Sequence, residues 1–340
     1  MLPLTHQHSE ATARRDGGGC PAPIATIVIA TRNRKEELRR TLAACMTQDA
    51  GGNGNWIETL VVDDDSSDGT REMIAAEFPS VRVVHKTQNP GYMVSRNRGA
   101  KEALGPVIFS VDDDAVYTSP DTMLHTLKEF DHPRVGAVAI PHIHVTDGPR
   151  EYDRSPDPDV LYIGATYVGT AYAVRRDVFL ALGGYQEALV HQGEEGEFCI
   201  RMLNAGYVVR LGTSATIHHF PSLIRNYKRQ LFLGARNSVL FSWINVPGVF
   251  LPFRLAGNIV NGCHNAMRLG HPWSFVSGVA RGLVSIPGWW SLRRPVAIAP
   301  YRLARRLLRR GPLPLADAEN ALPPPRDVSA FALAPTAPRS

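Results

Sequence analysis

The sequence predicts an α/β protein, with a largely parallel sheet covered by helices on both faces and a helical extension behind it. Three observations predict this. Short apolar runs alternate with helix-periodic segments between residues 25 and 111. The connections between them are short, as strand–helix–strand units require. Beyond residue 222 the apolar residues return at helical spacing, interleaved with Arg.

The first strand is "ATIVIAT" (25–31), and a helix follows with Leu38, Leu42 and Cys45 or Met46 on one face. "WIETLVV" (56–62) and "DGTREMIAAEF" (68–78) repeat the unit. "VRVV" (81–84), a helix around 92–104 and "PVIFSV" (106–111) continue it. After residue 130 the pattern changes. "RVGAVAIPHIHV" and "TYVGTAYAVRR" read as strands, some antiparallel. "GEEGEFCIRMLNAGY" (193–207) is a helix closed by Gly206, and "ATIHHF" (215–220) a short strand. Residues 222–310 are mostly helical. Residues 1–22 and the Pro- and Ala-rich 311–340 read as disordered tails. There are no internal repeats.

The apolar share of 44 % and charged share of 20 % mark a globular chain rather than a disordered one. Cys20, Cys45, Cys199 and Cys263 are scattered and form no CxxC pair. Neither a zinc site nor a disulfide framework is supported, and a reducing, cytoplasmic compartment fits. The N-terminus lacks the apolar core of a secretory signal, and no apolar window reaches the length of a membrane span.

Two acidic clusters stand at strand ends, where ligands bind in parallel sheets. In "LVVDDDSSDGT" Asp68 is placed to cap the next helix. A calcium loop counted from Asp64 fails at its twelfth position, Ala75, where a bidentate Glu is required. A carboxylate here suits the N–H donor of a nucleotide base. In "VIFSVDDDAVYT" three carboxylates leave a buried strand together. They form either a solvated turn or the hard oxygen set of Mg²⁺ or Mn²⁺.

Seven stretches together resemble the family 2 glycosyltransferases, over roughly residues 23–220. "IVIATRNRKEELRRTL" resembles the opening strand and loop, and "LVVDDDSSDGT" the "VVDDGSTDGT" element. "NPGYMVSRNRGAKEALG" is similar to "N-x-G-x-x-x-A-R-N-x-G", and "VIFSVDDDAV" to the DxD element. "GTAYAVRRDVFLALGGYQE" resembles the acceptor-side loop, "GEEGEFCIRMLNAGY" the "ED-x-D" helix, and "ATIHHF" the strand with a late His. The resemblance implies a GT-A fold, a Rossmann-like nucleotide-binding mixed sheet flanked by helices. It implies metal-dependent, inverting transfer of one hexosyl or deoxyhexosyl unit from a nucleotide-diphosphate sugar.

The same resemblance implies roles. Asp64 would contact the base, with Thr31 and Arg32 nearby. Arg96, Asn97, Asp112 and Asp113 would lie at the nucleotide-sugar. Asp112 and Asp114 would hold Mn²⁺ or Mg²⁺, with His218 as a further ligand and His219 as its fallback; a three-Asp run allows two registers. Glu195 would be the catalytic base, with Glu194, Gly183 and Gly184 on the acceptor side. Here the chain departs from the family, reading Glu-Glu for "ED" with Glu197 at the following acid. Acids in a first helical turn also favour the helix dipole, and Glu197 with Arg201 makes an i,i+4 pair.

The net charge of +5 is unevenly spread, with no Asp or Glu from Phe198 to Ala316. Arg interleaved with Trp, Phe and Leu in 221–310 reads as a membrane-associating extension on the inner face of an anionic membrane. No nucleic-acid motif is present. The acceptor is expected to be a glycan or a polyprenyl-linked glycan of cell-surface polysaccharide synthesis. The absence of a QxxRW motif favours single-sugar addition over processive synthesis. Two rivals are a nucleotidyltransferase, which would need a Gly-rich loop near the first strand, and a non-catalytic nucleotide- or glycan-binding protein at the membrane.

Overall fold

The computed structural model describes residues 21–85, 91–221 and 226–331. Nearly all of the expected N-terminal tail, and residues 332–340, lie outside the described residues. The first half follows the anticipated order: β1 (Ala25–Thr31), α1 (Lys35–Met46), β2 (Ile57–Asp63), α2 (Thr70–Glu77), β3 (Arg82–His85), α3 (Tyr92–Glu102) and β4 (Val107–Val111). Next come β5 (Ala115–Tyr117), α4 (Thr122–Lys128), β6 (Val135–Ala139), β7 (His142–His144), β8 (Glu151–Tyr152), β9 (Tyr162–Gly164) and β10 (Ala171–Arg175). The chain continues through α5 (Arg176–Ala181), α6 (Glu194–Asn204), β11 (Val208–Leu211) and β12 (Ile217–His219). It ends in α7 (Tyr227–Asn245), α8 (Leu251–Arg268), α9 (Pro272–Ser285), α10 (Ile298–Arg310) and β13 (Leu313–Pro314).

Nine strands form the main sheet in the order β13-β9-β11-β6-β10-β4-β1-β2-β3. β4, β1, β2 and β3 are parallel, and β10 runs against β4 and β6. The period-2 alternation of a strand gives the sheet two apolar faces. Ile27, Ile29, Val61 and Phe109 pack on Leu38, Leu42 and Cys45 of α1 and on Met73 and Ile74 of α2. Val28, Leu60, Ile108 and Tyr172 face α3, α5 and α6 through Ala100, Phe179, Phe198 and Met202. Of the two candidates at the end of α1, Cys45 is buried and Met46 exposed.

A second sheet, β5-β12-β7-β8, follows directly from the acidic run. In it His219 pairs with Ala115, the residue after Asp114, and the Phe220 N–H donates to the Asp114 carbonyl at 2.9 Å. This ladder brings "ATIHHF" onto the three acids across a hundred residues of chain.

In the extension, α9 crosses closely over α7. A Cβ at Gly278 would lie 2.2 Å from the Phe232 carbonyl oxygen, and one at Gly282 would lie 2.8 Å from Val239 Cβ. α10 buries Tyr301, Leu303, Ala304 and Leu307 against Val135, Ile163 and Ile200. The expectation of disorder from residue 311 is corrected over 311–331. β13 extends the main sheet beside β9, and Leu315, Ala318 and Leu322 join the core under α10. The proline carbonyls are used as acceptors: Arg134 donates to that of Pro323 at 2.7 Å. The Arg326 N–H donates to the Ala205 carbonyl at 2.8 Å.

Candidate active site

The carboxyl ends of β1, β2 and β4 share one sheet edge because the three strands are parallel, with Thr31 level with Asp63. Open α/β sheets bind ligands at this edge. Asp64 is buried there and its N–H donates to the Thr31 carbonyl at 2.9 Å. Its neighbour Asp63, fully buried, accepts from the Ser66 N–H at 3.1 Å and faces His85 at 3.2 Å. Asp68 accepts the Lys35 N–H at 3.0 Å and the Thr70 N–H at 3.2 Å, so it ties the β1–α1 loop to the start of α2. Arg32 is exposed beside Thr31.

The three acids after β4 divide by direction. Asp113 turns inward: it accepts from Thr31 Oγ1 at 2.8 Å and pairs with Arg34 at 3.1 Å. Burial pushes its carboxyl up to about 7, against the pull of Arg34 and the Thr31 hydrogen bond. The Asp113 carboxylate thus braces Thr31 and Arg34. Asp112, half-exposed, pairs with Arg96. Asp114 accepts from Arg34 at 2.7 Å and faces His219 Nε2 at 3.1 Å. Burial works against its ionisation, but His219 and Arg34 hold its carboxyl below the usual carboxylate range. The cations that face the acidic run are therefore Arg34 and Arg96.

Asp112, Asp114 and His219 bring one ligand atom each within 4.8 Å of one another. Two carboxylates and an imidazole suit Mn²⁺ or Mg²⁺ with open positions left for phosphate oxygens and water. The geometry selects the Asp112-x-Asp114 register and corrects the choice of His218. Alternate residues of a strand face opposite ways, and it is His219 that points at Asp114. Its Nδ1 lies 2.8 Å from His144 Nδ1, on the neighbouring strand, so the ring is held from both ends.

The residues expected on the acceptor side stand on and behind α6. Arg96, almost fully buried, joins the halves of the site: it pairs with Asp112, donates to the Gly169 carbonyl at 3.1 Å and lies 3.7 Å from Glu194 Oε1. Glu194 also accepts from Tyr92 Oη at 2.6 Å and is thereby committed to the wall. Glu195 has no ion pair among the described residues. Burial pushes its carboxyl up to about 8, repulsion from Glu194 adds to this, and Arg96 opposes it. A Cβ on Gly169 would stand 2.7 Å from both Arg96 Nη1 and Glu195 Oε1, so only glycine lets these groups approach there. Glu197 points elsewhere and holds Arg201 by two bonds of 2.8 and 2.6 Å, as the i,i+4 reading anticipates.

Asn97 and the two glycines make their own contacts behind α6. Asn97 uses its amide on the loop ahead of α6, donating to the Tyr185 carbonyl at 2.9 Å and accepting the Tyr185 N–H at 2.8 Å. Gly183 and Gly184 line a separate cavity of about 510 Å³ with Asn97, Glu197 and Arg201, not with Glu195. Both glycines have positive φ, and their loop supports α6 from behind. Arg34, Tyr92, His144 and Gly169 have no distinguishing signal in the sequence. Arg34, Tyr92 and Gly169 fall inside matching stretches but gain meaning only from their neighbours in space.

Residues 26–181 match the sequence model of "Glycosyl transferase family 2". This segment belongs to that family. Two curated relatives are an uncharacterized glycosyltransferase, YibD, of Escherichia coli and the succinoglycan biosynthesis protein ExoO of Rhizobium meliloti. The first is 32 % identical over 108 residues, 30 % of this chain and 28 % of that protein. The second is 31 % identical over 110 residues, 32 % of this chain and 30 % of that protein. The chain thus aligns with less than a third of either relative's length. A mannosyltransferase from Pyrobaculum calidifontis, solved with GDP-Man and Mn²⁺, superposes with a TM-score of 0.54 at 19 % identity. That superposition covers 85 % of this chain and 82 % of the other. The glycosyltransferase fold is GT-A.

Proposed function

We propose that this protein transfers a single sugar from a nucleotide-diphosphate sugar to a hydroxyl of a glycan or lipid-linked glycan, with inversion and with a divalent cation. One observation carries the reading: the cation-ready set of Asp112, Asp114 and His219 is joined through Arg96 to the turn that presents Glu195. A cation held there supplies Lewis acidity toward the leaving diphosphate. Asp64 and Thr31 offer a polar wall for the nucleotide end. Arg96 holds Asp112 and the α6 turn at a fixed separation. Glu195 takes the acceptor hydroxyl proton as the new C–O bond forms at the anomeric carbon. The bond to the diphosphate breaks with its electron pair, so the nucleoside diphosphate leaves. The bound GDP-Man of the Pyrobaculum neighbour supports the donor class.

The test is thermal stabilisation by a panel of nucleotide sugars, with and without Mn²⁺. Binding to the native state adds about 2.7 kcal/mol at a hundredfold excess over Kd. The expected result is a Mn²⁺-dependent rise with one donor. No rise with any donor would move the reading to a non-catalytic binding protein.

The extension supports placement on an anionic membrane surface. No helix among the described residues is long and apolar enough to cross a membrane. Phe253, Val260 and Met267 repeat every seven residues along one exposed stripe of α8, and Trp273 and Val284 lie exposed on α9. The segment around them carries Arg and no acid. Such a surface seats its apolar side at the headgroup boundary and its Arg against anionic lipid. Co-sedimentation with phosphatidylglycerol vesicles, absent with phosphatidylcholine and lost in a Phe253→Ser, Trp273→Ser double variant, is the expected outcome.

A further inference from the structure

A cavity of about 300 Å³ opens against the first turn of α6, which carries Glu195. Gly193 and Gly196, which flank the base, line one side. Phe241, Arg254, Ala304 and Leu308 line the other. Arg254 is the charged group in an otherwise mainly apolar lining, and its Nε is sealed from solvent with no hydrogen-bond partner.

The charges nearest Arg254 repel it. Burial lowers its affinity for the proton, and Arg305 and Arg309 of α10 lower it further. No Asp or Glu occurs between Phe198 and Ala316, and none of the three arginines has an ion pair among the described residues. Burying a cation against like charges is costly unless a counter-charge completes the site. A guanidinium presents a planar fork of donors that matches phosphate oxygens in pairs. The preceding residue, Phe253, opens onto the exposed apolar stripe of α8.

We propose that Arg254, Arg305 and Arg309 bind the phosphate or diphosphate of a lipid-linked acceptor, whose sugar reaches Glu195 through the adjoining cavity. The apolar tail leaves along α8. The assignment rests on the reading of α6 as the acceptor side, and it narrows the acceptor to one carried on a phosphorylated lipid. A neutral oligosaccharide would leave the three cations unanswered.

Binding is measured by intrinsic tryptophan fluorescence with three probes: geranyl diphosphate, inorganic pyrophosphate and geraniol. EDTA is present throughout, so that no cation draws a diphosphate to Asp112 and Asp114. Geranyl diphosphate should bind at least about tenfold more tightly than either fragment, because only it offers both charge and chain. Arg254→Gln should weaken it by about tenfold or more, the loss of a charged hydrogen-bonding pair. The same substitution should leave the melting temperature unchanged or raise it, since it removes a like-charge contact. If it fails to fold, the Arg305→Gln, Arg309→Gln double variant on the outer face of α10 must show the same loss of binding.

Equal binding of geraniol would reduce the site to an apolar cavity and overturn the proposal. Equal binding of pyrophosphate would overturn the lipid source. Unchanged affinity in the arginine variants would overturn the residue assignment. The result is separable from the donor reading. Asp114→Asn should abolish the Mn²⁺-dependent donor response and leave geranyl diphosphate binding intact. Donor binding without geranyl diphosphate binding would reject this site alone.

Discussion

Glu195→Gln is expected to lower kcat by about a thousandfold, the middle of the range for a positioned general base. The amide keeps the shape of the side chain but cannot accept the acceptor's proton. The pH dependence follows from the same environment. Burial, then the charge of Glu194, pushes Glu195 up to about 8. A base acts in its ionised form, so kcat/KM should rise with pH and level off above about 8. Asp112 also raises Glu195. A cation at Asp112 therefore lowers it, and the break in kcat/KM should move to lower pH as Mn²⁺ approaches saturation. Stability should move the opposite way from activity. An acid raised above its unfolded value favours the fold when protonated, and that contribution fades as pH climbs from about 4 to about 8. Glu195→Gln removes the titration. It should melt higher than the wild-type protein at pH 8–9 and differ little near pH 4. Activity and stability curves that fail to cross in this way would move the base away from Glu195.

The sheet edge carrying the acids was legible because alternating strands and helices leave few alternatives for β1, β2 and β4. Once these run parallel, Asp63–Asp65 and Asp112–Asp114 share one edge whatever the loops do. Side-chain direction was not legible. Three adjacent aspartates look alike in sequence, and only the Thr31 contact singles out Asp113 as the inward one. His218 and His219 are separated by the pairing of β12 with β5, a contact made across about a hundred residues. Asn97 sits in a matching stretch, yet its amide is consumed by Tyr185. Composition misled at residues 311–331, where prolines read as disorder. Leu313, Leu315 and Leu322 anchor the segment in the core, and proline still supplies a carbonyl acceptor. Arg254 was visible only as part of a basic tract; its isolation from any carboxylate is a property of the folded site.

Asp114→Asn is expected to abolish the Mn²⁺-dependent thermal shift and to cost roughly a thousandfold in rate, the several kcal/mol a Lewis acid contributes to a developing leaving group. Dialysis against EDTA should reproduce the loss in the wild-type protein, and added Mn²⁺ should restore it there but not in the variant. The neighbouring positions make the result specific. His219→Ala should weaken Mn²⁺ by about ten- to a hundredfold, whereas His218→Ala should leave it near the wild-type value. Asp113→Asn is the sharper control. Its carboxyl is raised to about 7 by burial and faces Thr31 and Arg34 rather than the cleft. The amide can still accept from Thr31, so Mn²⁺ dependence should survive. A protein in which Asp113→Asn removed the metal response and Asp114→Asn spared it would have the other register, with Asp113 turned outward. In the structure, that turn would require breaking the Thr31 bond and leaving Arg34 held by Asp114 alone.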